Sequence, residues 1–112
     1  MITAKIFRNS RGAVSGFEIS GHAGYAEHGG DIVCAAVSAI AYTAAGYFSE
    51  KKCGEKPFEY SEREGFMKLS APQIGTEAAE DRAAADAVLE AAVIGLKQIA
   101  LSYGTEYIKV ID

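Results

Sequence analysis

Apolar residues alternate with polar ones at the start of the chain, which predicts a short β-strand over residues 2–8. Four residues typical of a turn follow at 9–12, and a second strand is predicted over residues 13–20. The apolar positions of these two segments are Ile2, Ala4, Ile6, Val14, Phe17 and Ile19. The chain is therefore expected to begin with two strands joined by a turn.

Helical spacing of apolar residues predicts two long helices, over about 32–52 and about 76–103. The positions are Val33, Val37, Ile40, Ala44 and Phe48 in the first helix, and Val88, Leu89, Ala92, Leu96, Ile99 and Tyr103 in the second. A glycine follows each helix, at Gly54 and Gly104, and is the predicted stop. The first helix is apolar on nearly all sides, so we expect it to be buried centrally or to form an oligomer contact.

Two pairs of apolar residues predict two further strands between the helices. Phe58 and Tyr60 mark the third strand, and Met67 and Leu69 mark the fourth. The polar stretch at 61–65 is predicted to be the hairpin loop that joins them.

A last strand is predicted over residues 105–111, where Ile108 and Val110 share one face. The element order is then β-β-α-β-β-α-β, in a single domain over residues 1–112. This order favours an α+β fold in which two helices pack on one face of a mostly antiparallel sheet.

Composition and charge exclude several classes of function. The net charge of −4 argues against direct nucleic-acid binding, which needs a basic face. The 112 residues are 49% hydrophobic, enough for a core without disulfides or metal. No uninterrupted apolar run reaches the ~18 residues of a membrane span, and no signal peptide is visible. With only two cysteines, we expect a cytoplasmic protein with reduced thiols.

The stretch from Ser20 to Cys34 carries the candidate chemistry. It joins His22 to Cys34 through a glycine-rich loop, and Asp31 is placed to cap the helix that follows. Cys34 then falls in the first helical turn, where the positive helix end favours a thiolate. His22 lies at a strand end and can fold back across the loop as a base. The pattern predicts a cysteine nucleophile with a histidine base; the alternative for Cys34 is a small buried apolar residue.

Several neighbours of this pair admit two interpretations. Asp31 either caps the helix, which we favour, or orients His22 in a triad-like arrangement. Ser38 lies one helical turn after Cys34, where its hydroxyl either binds near the thiolate or satisfies a helix carbonyl. His28 lies in the middle of the loop and is expected to be a surface residue.

The loop glycines predict a flexible segment beside the site, and we expect it to close over a substrate. The residues of this substrate loop are Gly24, Tyr25, Gly29 and Gly30, with Gly21 just before it. An irregular surface loop is the alternative. The N–H groups of the first helical turn are expected to form an oxyanion hole. Nucleotide binding is excluded because no lysine or Ser/Thr follows Gly29-Gly30 as a phosphate-binding loop requires.

No metal or other cofactor is predicted. His22, His28, Asp31 and Cys34 are possible ligands, but the chain has neither a C-x-x-C pair nor an H-E-x-x-H motif. Cys53 would lie ~28 Å from Cys34 along the first helix, at ~1.5 Å per residue. That separation argues against both a shared metal and a disulfide.

Two segments of the chain, 21–24 and 30–38, resemble the signature of the ribosomal-processing cysteine protease family, Prp. The resemblance extends over essentially the whole chain in length and element order. It implies a cysteine endopeptidase. Carried over to this chain, the family's residues are His22 and Cys34 as the catalytic pair and Gly21, Asp31 and Ser38 as supporting positions.

The resemblance also implies a substrate and an assembly. The family removes a short, aromatic-rich N-terminal extension from protein twenty-seven of the large ribosomal subunit, and its members are commonly homodimers. The glycine-rich loop is then expected to close over the aromatic side chains, with Tyr25, Tyr42 or Tyr47 stacking on them. Two alternatives stay open: a non-catalytic ribosome-assembly factor that binds the same protein, and a small thioester hydrolase.

Overall fold

The computed structural model describes residues 1–27, 30–51, 58–71 and 79–112. In chain order, the elements of these ranges are β1 (Ile2–Arg8), β2 (Val14–Ser20), α1 (Ile32–Lys51), β3 (Glu59–Arg63), β4 (Phe66–Ser70), α2 (Ala79–Tyr103) and β5 (Ile108–Ile111). Each one overlaps a segment that the hydrophobic pattern predicts. The predicted element order is confirmed.

The described strands form one five-stranded sheet in the order β3-β4-β2-β1-β5. The pairs β1–β2, β2–β4 and β3–β4 are antiparallel, whereas β1 and β5 are parallel. The N–H of Ile2 donates to the carbonyl of Tyr107 at 2.8 Å, which ties the start of β1 to the residue before β5. The prediction of a mostly antiparallel sheet is confirmed.

The register of the central strands makes one face of the sheet apolar. Phe17 of β2 lies opposite Ile6 of β1 and Leu69 of β4, and directly paired residues share a face. Both helices contribute to the core on this face. Its largest fully buried side chains are Phe17, Leu69, Leu89, Leu96, Ile108, Val14, Val33 and Val93. The predicted packing of two helices on a sheet is therefore confirmed.

Two boundaries differ from the prediction. The hairpin loop expected at 61–65 is only the two-residue turn of Glu64 and Gly65, because β3 continues to Arg63 and β4 begins at Phe66. The extra strand residues are polar and exposed, since β3 is an edge strand, so no apolar pattern marks them. The last strand begins at Ile108 rather than 105.

The later start of β5 has a local cause. Gly104 ends α2 with a φ of +114°, and its carbonyl accepts the N–H of Tyr107 at 3.1 Å. Residues 105–107 therefore form a turn before the strand can pair with β1.

The predicted stop at Gly54 and the predicted start of the second helix near 76 lie outside the described residues.

Helix α1 is apolar on more than one side. Residues 32–48 come nearest to a membrane span in the sequence, but they include the polar residues Ser38 and Thr43. By length and composition alone, Ile32–Glu50 could still cross a membrane. Core helices of globular proteins can have the same composition. Here, the helix contributes Val33, Val37, Ala41, Ala44 and Phe48 to the hydrophobic core. Cys34 lies beside this buried stripe, at the N-terminal end of the helix.

Candidate active site

Cys34 lies in the first turn of α1, which begins just after Asp31. One carboxylate oxygen of Asp31, Oδ1, accepts the N–H of Val33 at 3.0 Å and that of Cys34 at 3.1 Å. This is the predicted N-cap, and it places Cys34 at the third helical position. The partly buried thiol is therefore near the positive end of the helix, where negative charge is stabilised.

The second oxygen of Asp31 holds the loop that precedes the helix. Oδ2 accepts the N–H of Tyr25 at 3.0 Å and, more weakly, that of Ala26 at 3.5 Å. Burial acts to raise the pKa of Asp31, but the four backbone hydrogen bonds outweigh it and leave this pKa below its usual value. A single ionised carboxylate thus joins the loop to the helix, which supports the cap interpretation of Asp31.

The sulfur of Cys34 has a hydrogen-bond donor from the other side of the loop. The N–H of Ala23 donates to Cys34 Sγ at 3.3 Å. Ala23 follows His22, and its side chain is buried. This hydrogen bond holds the backbone next to His22, the candidate base, against Cys34, the candidate nucleophile.

His22 follows the end of β2 and lies against the β3–β4 turn. The N–H of the preceding Gly21 donates to the carbonyl of Gly65 at 2.8 Å. The imidazole Nε2 of His22 is 3.0 Å from the position that a Cβ on Gly65 would take. Gly65 has a φ of +72°, a backbone conformation that favours glycine. Because glycine has no side chain, it also leaves space for the imidazole of His22.

Gly21 is required for a similar reason. Its φ is +93°, and a Cβ there would collide with the carbonyl oxygen of Met1. A larger residue would have to push β1 and β2 apart at the point where the chain turns toward His22. The backbone conformation and the contact with Met1 therefore both require glycine beside His22.

A cleft of about 870 Å³ contains both members of the predicted pair. Its walls are the loop after β2, one face of α1 and the β3–β4 hairpin. The predicted site residues that line it are Gly21, His22, Gly24, Asp31, Cys34 and Ser38. Ser38 shares the α1 face with Cys34, as its spacing predicts. These residues, spread over 18 positions of sequence, meet in one cavity.

Some predicted residues lie elsewhere. Gly30 is exposed and does not line the cleft. His28, Gly29 and Cys53 lie outside the described residues, so those predictions stay untested. The closure of the glycine-rich loop over a substrate also stays a prediction.

The three tyrosines proposed to stack on a substrate have different surroundings. Tyr25 packs edge-on against Tyr103 and Tyr107, with ring centroids 5.6 and 5.1 Å away, and does not line the cleft. Tyr47 packs edge-on against its neighbour in α1 at 5.2 Å. Tyr42 lines the cleft and is 50% exposed. Of the three, only Tyr42 lines the cleft.

Three amides near the expected oxyanion hole have acceptors within the protein. The N–H groups of Val33 and Cys34 both donate to the Asp31 carboxylate, and the N–H of Ala35 donates to the Asp31 carbonyl at 3.1 Å. In the resting site, two of these amides therefore bond to the capping carboxylate and the third makes the first hydrogen bond of the helix. This competition follows from the predicted cap, because an N-cap carboxylate accepts the same amides that an oxyanion hole would need.

The β3–β4 hairpin is the part of the site that the hydrophobic pattern does not predict. Its residues on the cleft wall are Glu62, Arg63, Glu64, Gly65, Phe66 and Met67. They lie about 30 positions after Cys34, and the polar stretch among them was predicted to be a plain loop. The sequence did contain a signal for the opposite wall of the cleft. Tyr42 follows Cys34 and Ser38 at helical spacing, so the three residues share one face of α1.

A carboxylate and two phenols meet across the cleft. Glu62 accepts the hydroxyl of Tyr42 at 2.6 Å and that of Tyr60 at 3.1 Å. The hydrogen bond to Glu62 raises the pKa of Tyr42, while burial, followed by Glu62, raises the pKa of Tyr60. Both phenols therefore stay protonated at neutral pH. This group links α1 to the edge strand and fixes the hairpin beside the cleft.

The described residues, with the gaps at 28–29, 52–57 and 72–78, contain no cluster of three or more His, Cys, Asp or Glu side chains that could hold a metal. A thiol at a helix start and an imidazole on a firm platform are the parts of a thiol-dependent hydrolase.

Known proteins are similar to this chain in sequence and fold. Residues 1–109 match the family described as cysteine protease Prp. The ribosomal processing cysteine protease Prp of Bacillus subtilis (strain 168) is 31% identical over 103 residues, which cover 92% of this chain and 90% of that protein.

Two crystal structures support the match. One is an essential ribosomal processing protease Prp from Staphylococcus aureus with a covalently linked product peptide, at 26% identity and a TM-score of 0.79, covering 99% of this chain and 98% of that one. The other is a Streptococcus mutans protein, at 28% identity and a TM-score of 0.74, covering 99% and 92%. The chain belongs to the Prp family of cysteine proteases.

Proposed function

We propose that Cys34 is the nucleophile and His22 the general base of this protease, and that its substrate is the N-terminal extension of protein twenty-seven of the large ribosomal subunit. The observation that carries the residue assignment is the position of Cys34. Its sulfur lies at the capped start of α1, accepts the N–H of Ala23 and faces the cleft that His22 lines.

The reaction follows from these groups. His22 takes the proton of the Cys34 thiol, and the sulfur attacks the carbonyl carbon of the scissile peptide bond. The imidazolium then protonates the leaving nitrogen as the C–N bond breaks, which leaves a thioester on Cys34. His22 next takes a proton from water, whose oxygen attacks the thioester. The C–S bond breaks, the sulfur regains a proton from the imidazolium, and the carboxylic acid product leaves.

Three observations support a ribosomal protein as the substrate. The Bacillus subtilis relative is named a ribosomal processing protease, and the Staphylococcus aureus relative holds a covalently linked product peptide. The chain carries a net charge of −4, which attracts a basic polypeptide. Ribosomal proteins are such polypeptides because they bind RNA.

Asp31, Ser38 and Gly21 are assigned supporting roles. Asp31 holds the loop and the helix start together, and Gly21 lets the chain turn toward His22 between Met1 and Gly65. Ser38 lies in the cleft one turn after the nucleophile, within the region that a bound peptide would occupy. We assign no cofactor.

Location and assembly complete the proposal. We propose a cytoplasmic homodimer, because ribosome maturation occurs in the bacterial cytoplasm and because both helices expose large apolar side chains. These are Ile32 on α1 and Ile94 and Leu101 on α2. Sedimentation at several concentrations tests the assembly: a monomer at every concentration would contradict it.

The decisive experiment is mass spectrometry of the extended ribosomal protein after incubation with the chain and with its Cys34→Ala variant. A single truncation by the unchanged chain alone is expected. Iodoacetamide labelling provides a second measurement, in which Cys34 should react faster than Cys53. Equal labelling rates would contradict an activated nucleophile. An intact substrate with both proteins, once each is shown to be folded and reduced, would favour the assembly-factor alternative.

A turnover assay with thioesters distinguishes the protease from the remaining alternative, a small thioester hydrolase. A thioester hydrolase would cleave small acyl thioesters and leave the extended ribosomal protein intact. The proposed protease should cleave the extension at one bond.

A further inference from the structure

We propose that the backbone N–H of Ala23 is an oxyanion-hole donor of this protease. During attack, negative charge moves from Cys34 Sγ to the carbonyl oxygen of the substrate. The proposal rests on the assignment of Cys34 as the nucleophile. It names a catalytic group that the sequence pattern did not identify.

The geometry places this donor beside the reacting atoms. The amide nitrogen of Ala23 is 3.3 Å from Cys34 Sγ, and its hydrogen points at the sulfur. When the sulfur bonds to the carbonyl carbon, the oxygen that gains the charge is two bonds from Sγ. A donor that touches the sulfur in the resting site is therefore within reach of that oxygen, and it follows the charge as the charge moves.

The amides of Val33, Cys34 and Ala35 already have acceptors in the resting site. Those of Val33 and Cys34 each donate to Asp31 Oδ1, and that of Ala35 donates to the carbonyl of Asp31. To bind an oxyanion, they would have to break the cap that orders the helix start. The Ala23 N–H does not have to break the cap, because it donates to Cys34 Sγ, and that sulfur loses negative charge in the reaction.

The donor is held firmly on both sides. Before it, the N–H of Gly21 donates to Gly65 at 2.8 Å, and after it, the N–H of Tyr25 donates to Asp31 at 3.0 Å. The Ala23 side chain is only 3% exposed. Donors fixed before the reaction stabilise developing charge without the cost of reorganisation. The β3–β4 turn and the Asp31 carboxylate therefore both contribute to positioning this amide.

The test replaces one N–H by an oxygen atom. Cys34 is itself a ligation site, so a synthetic segment of residues 1–33 can be joined to the remaining chain. Lactic acid in place of Ala23 gives an ester that lacks the N–H and keeps the methyl group. The matched control is the same exchange at Ala13, whose N–H donates to Asn9 Oδ1 at 3.1 Å in the β1–β2 turn, away from the cleft.

The ester at Ala23 should lower kcat/KM by ~10²-fold or more, the usual effect of losing one oxyanion donor. The ester at Ala13 should stay within about three-fold of the all-amide chain, because loss of a remote hydrogen bond changes stability and not transition-state binding. Both esters should melt at similar temperatures. Unchanged cleavage by the Ala23 ester would overturn the proposal.

Alkylation distinguishes oxyanion binding from activation of the thiol. Iodoacetamide reacts at Cys34 without forming an oxyanion at a carbonyl carbon. The Ala23 ester should therefore lose far more proteolysis than alkylation. Equal loss of both rates would assign the N–H to the thiolate and refute the oxyanion role. Failure of the all-amide chain to cleave would instead refute the proposed function, so the two failures are distinguishable.

A measurement on the unaltered chain covers the case in which the ester does not fold. A peptide aldehyde forms a hemithioacetal with Cys34 that carries the oxygen of a tetrahedral intermediate. In ¹⁵N-resolved NMR spectra, the Ala23 amide proton should move downfield, while those of Val33 and Cys34 change less. A larger downfield shift at Cys34 than at Ala23 would overturn the proposal.

Discussion

Replacing Asp31 by asparagine separates the two functions of this carboxylate. Asparagine is as good an N-cap as aspartate, so its oxygen can still accept the N–H groups of Val33 and Cys34. Its Nδ2 group then faces the N–H of Tyr25, which now donates to Oδ2 at 3.0 Å. Two donors would oppose each other, and the loop would lose its attachment. Alanine at the same position would lose both the cap and the loop.

The magnitudes follow from the bonds that are removed. The loop bond has a charged acceptor in a residue only 9% exposed, which is worth about 2 kcal/mol, so Asp31→Asn should cost about that much. Asp31→Ala also loses the cap, about 1 kcal/mol more. At about 4 °C per kcal/mol for a domain of this size, Tm should fall by about 8 °C and about 12 °C.

Thermal unfolding followed by circular dichroism across pH tests this reasoning. The pKa of Asp31 is lower in the folded chain than in the unfolded chain, so the ionised carboxylate favours folding at neutral pH. This contribution is fully present above about pH 5 and is lost as pH falls through the folded pKa. The Tm difference between the unchanged chain and Asp31→Asn should therefore shrink in acid.

Two results would refute this account. An Asp31→Asn variant as stable as the unchanged chain at pH 7 would show that the loop bonds contribute nothing. A Tm difference that stays constant down to about pH 2, below the usual range of carboxyl pKa values, would show that ionisation is not its cause.

Two further predictions test the platform of the base and the ion pairs at the surface. Gly65→Asn should lower kcat/KM at least ten-fold, because a side chain there displaces the imidazole of His22, whereas Gly12→Asn should not, since Gly12 has a similar φ of +81° and open space. Equal activity of both variants in the peptide-cleavage assay would refute this positioning role. Arg8 donates to Asp112 at 2.7 Å and holds the pKa of that carboxyl below its usual range. Asp112→Asn should therefore lower Tm slightly in dilute buffer and much less in ~1 M salt, where screening acts within about 3 Å; a difference that is independent of salt would contradict an ionic contribution.

The sequence predicts the helix start well because that feature is local. Asp31 and Cys34 are three residues apart, and capping depends on backbone geometry within one turn. The alternation in β1 and β2 is local in the same way. The order of elements and the apolar face of each could therefore be predicted without knowing how they pack.

The sequence could not point to Ala23 as the proposed oxyanion donor, for a physical reason. Residues near a helix start have free N–H groups in principle, but the Asp31 side chain uses two of them. Which donors remain depends on the approach of Ala23, eleven residues before Cys34, to the sulfur. No periodicity in the sequence reports such an approach.

By itself, the sequence determined the α+β class, the seven elements and the capped cysteine, because short-range spacing and capping control each of them. The tertiary structure alone decided that the β3–β4 turn supports His22, that Glu62 binds Tyr42 across the cleft and that the Ala23 N–H meets the sulfur. Those contacts depend on strand register and on packing between distant segments. Such contacts form only when the whole sheet and both helices are in place.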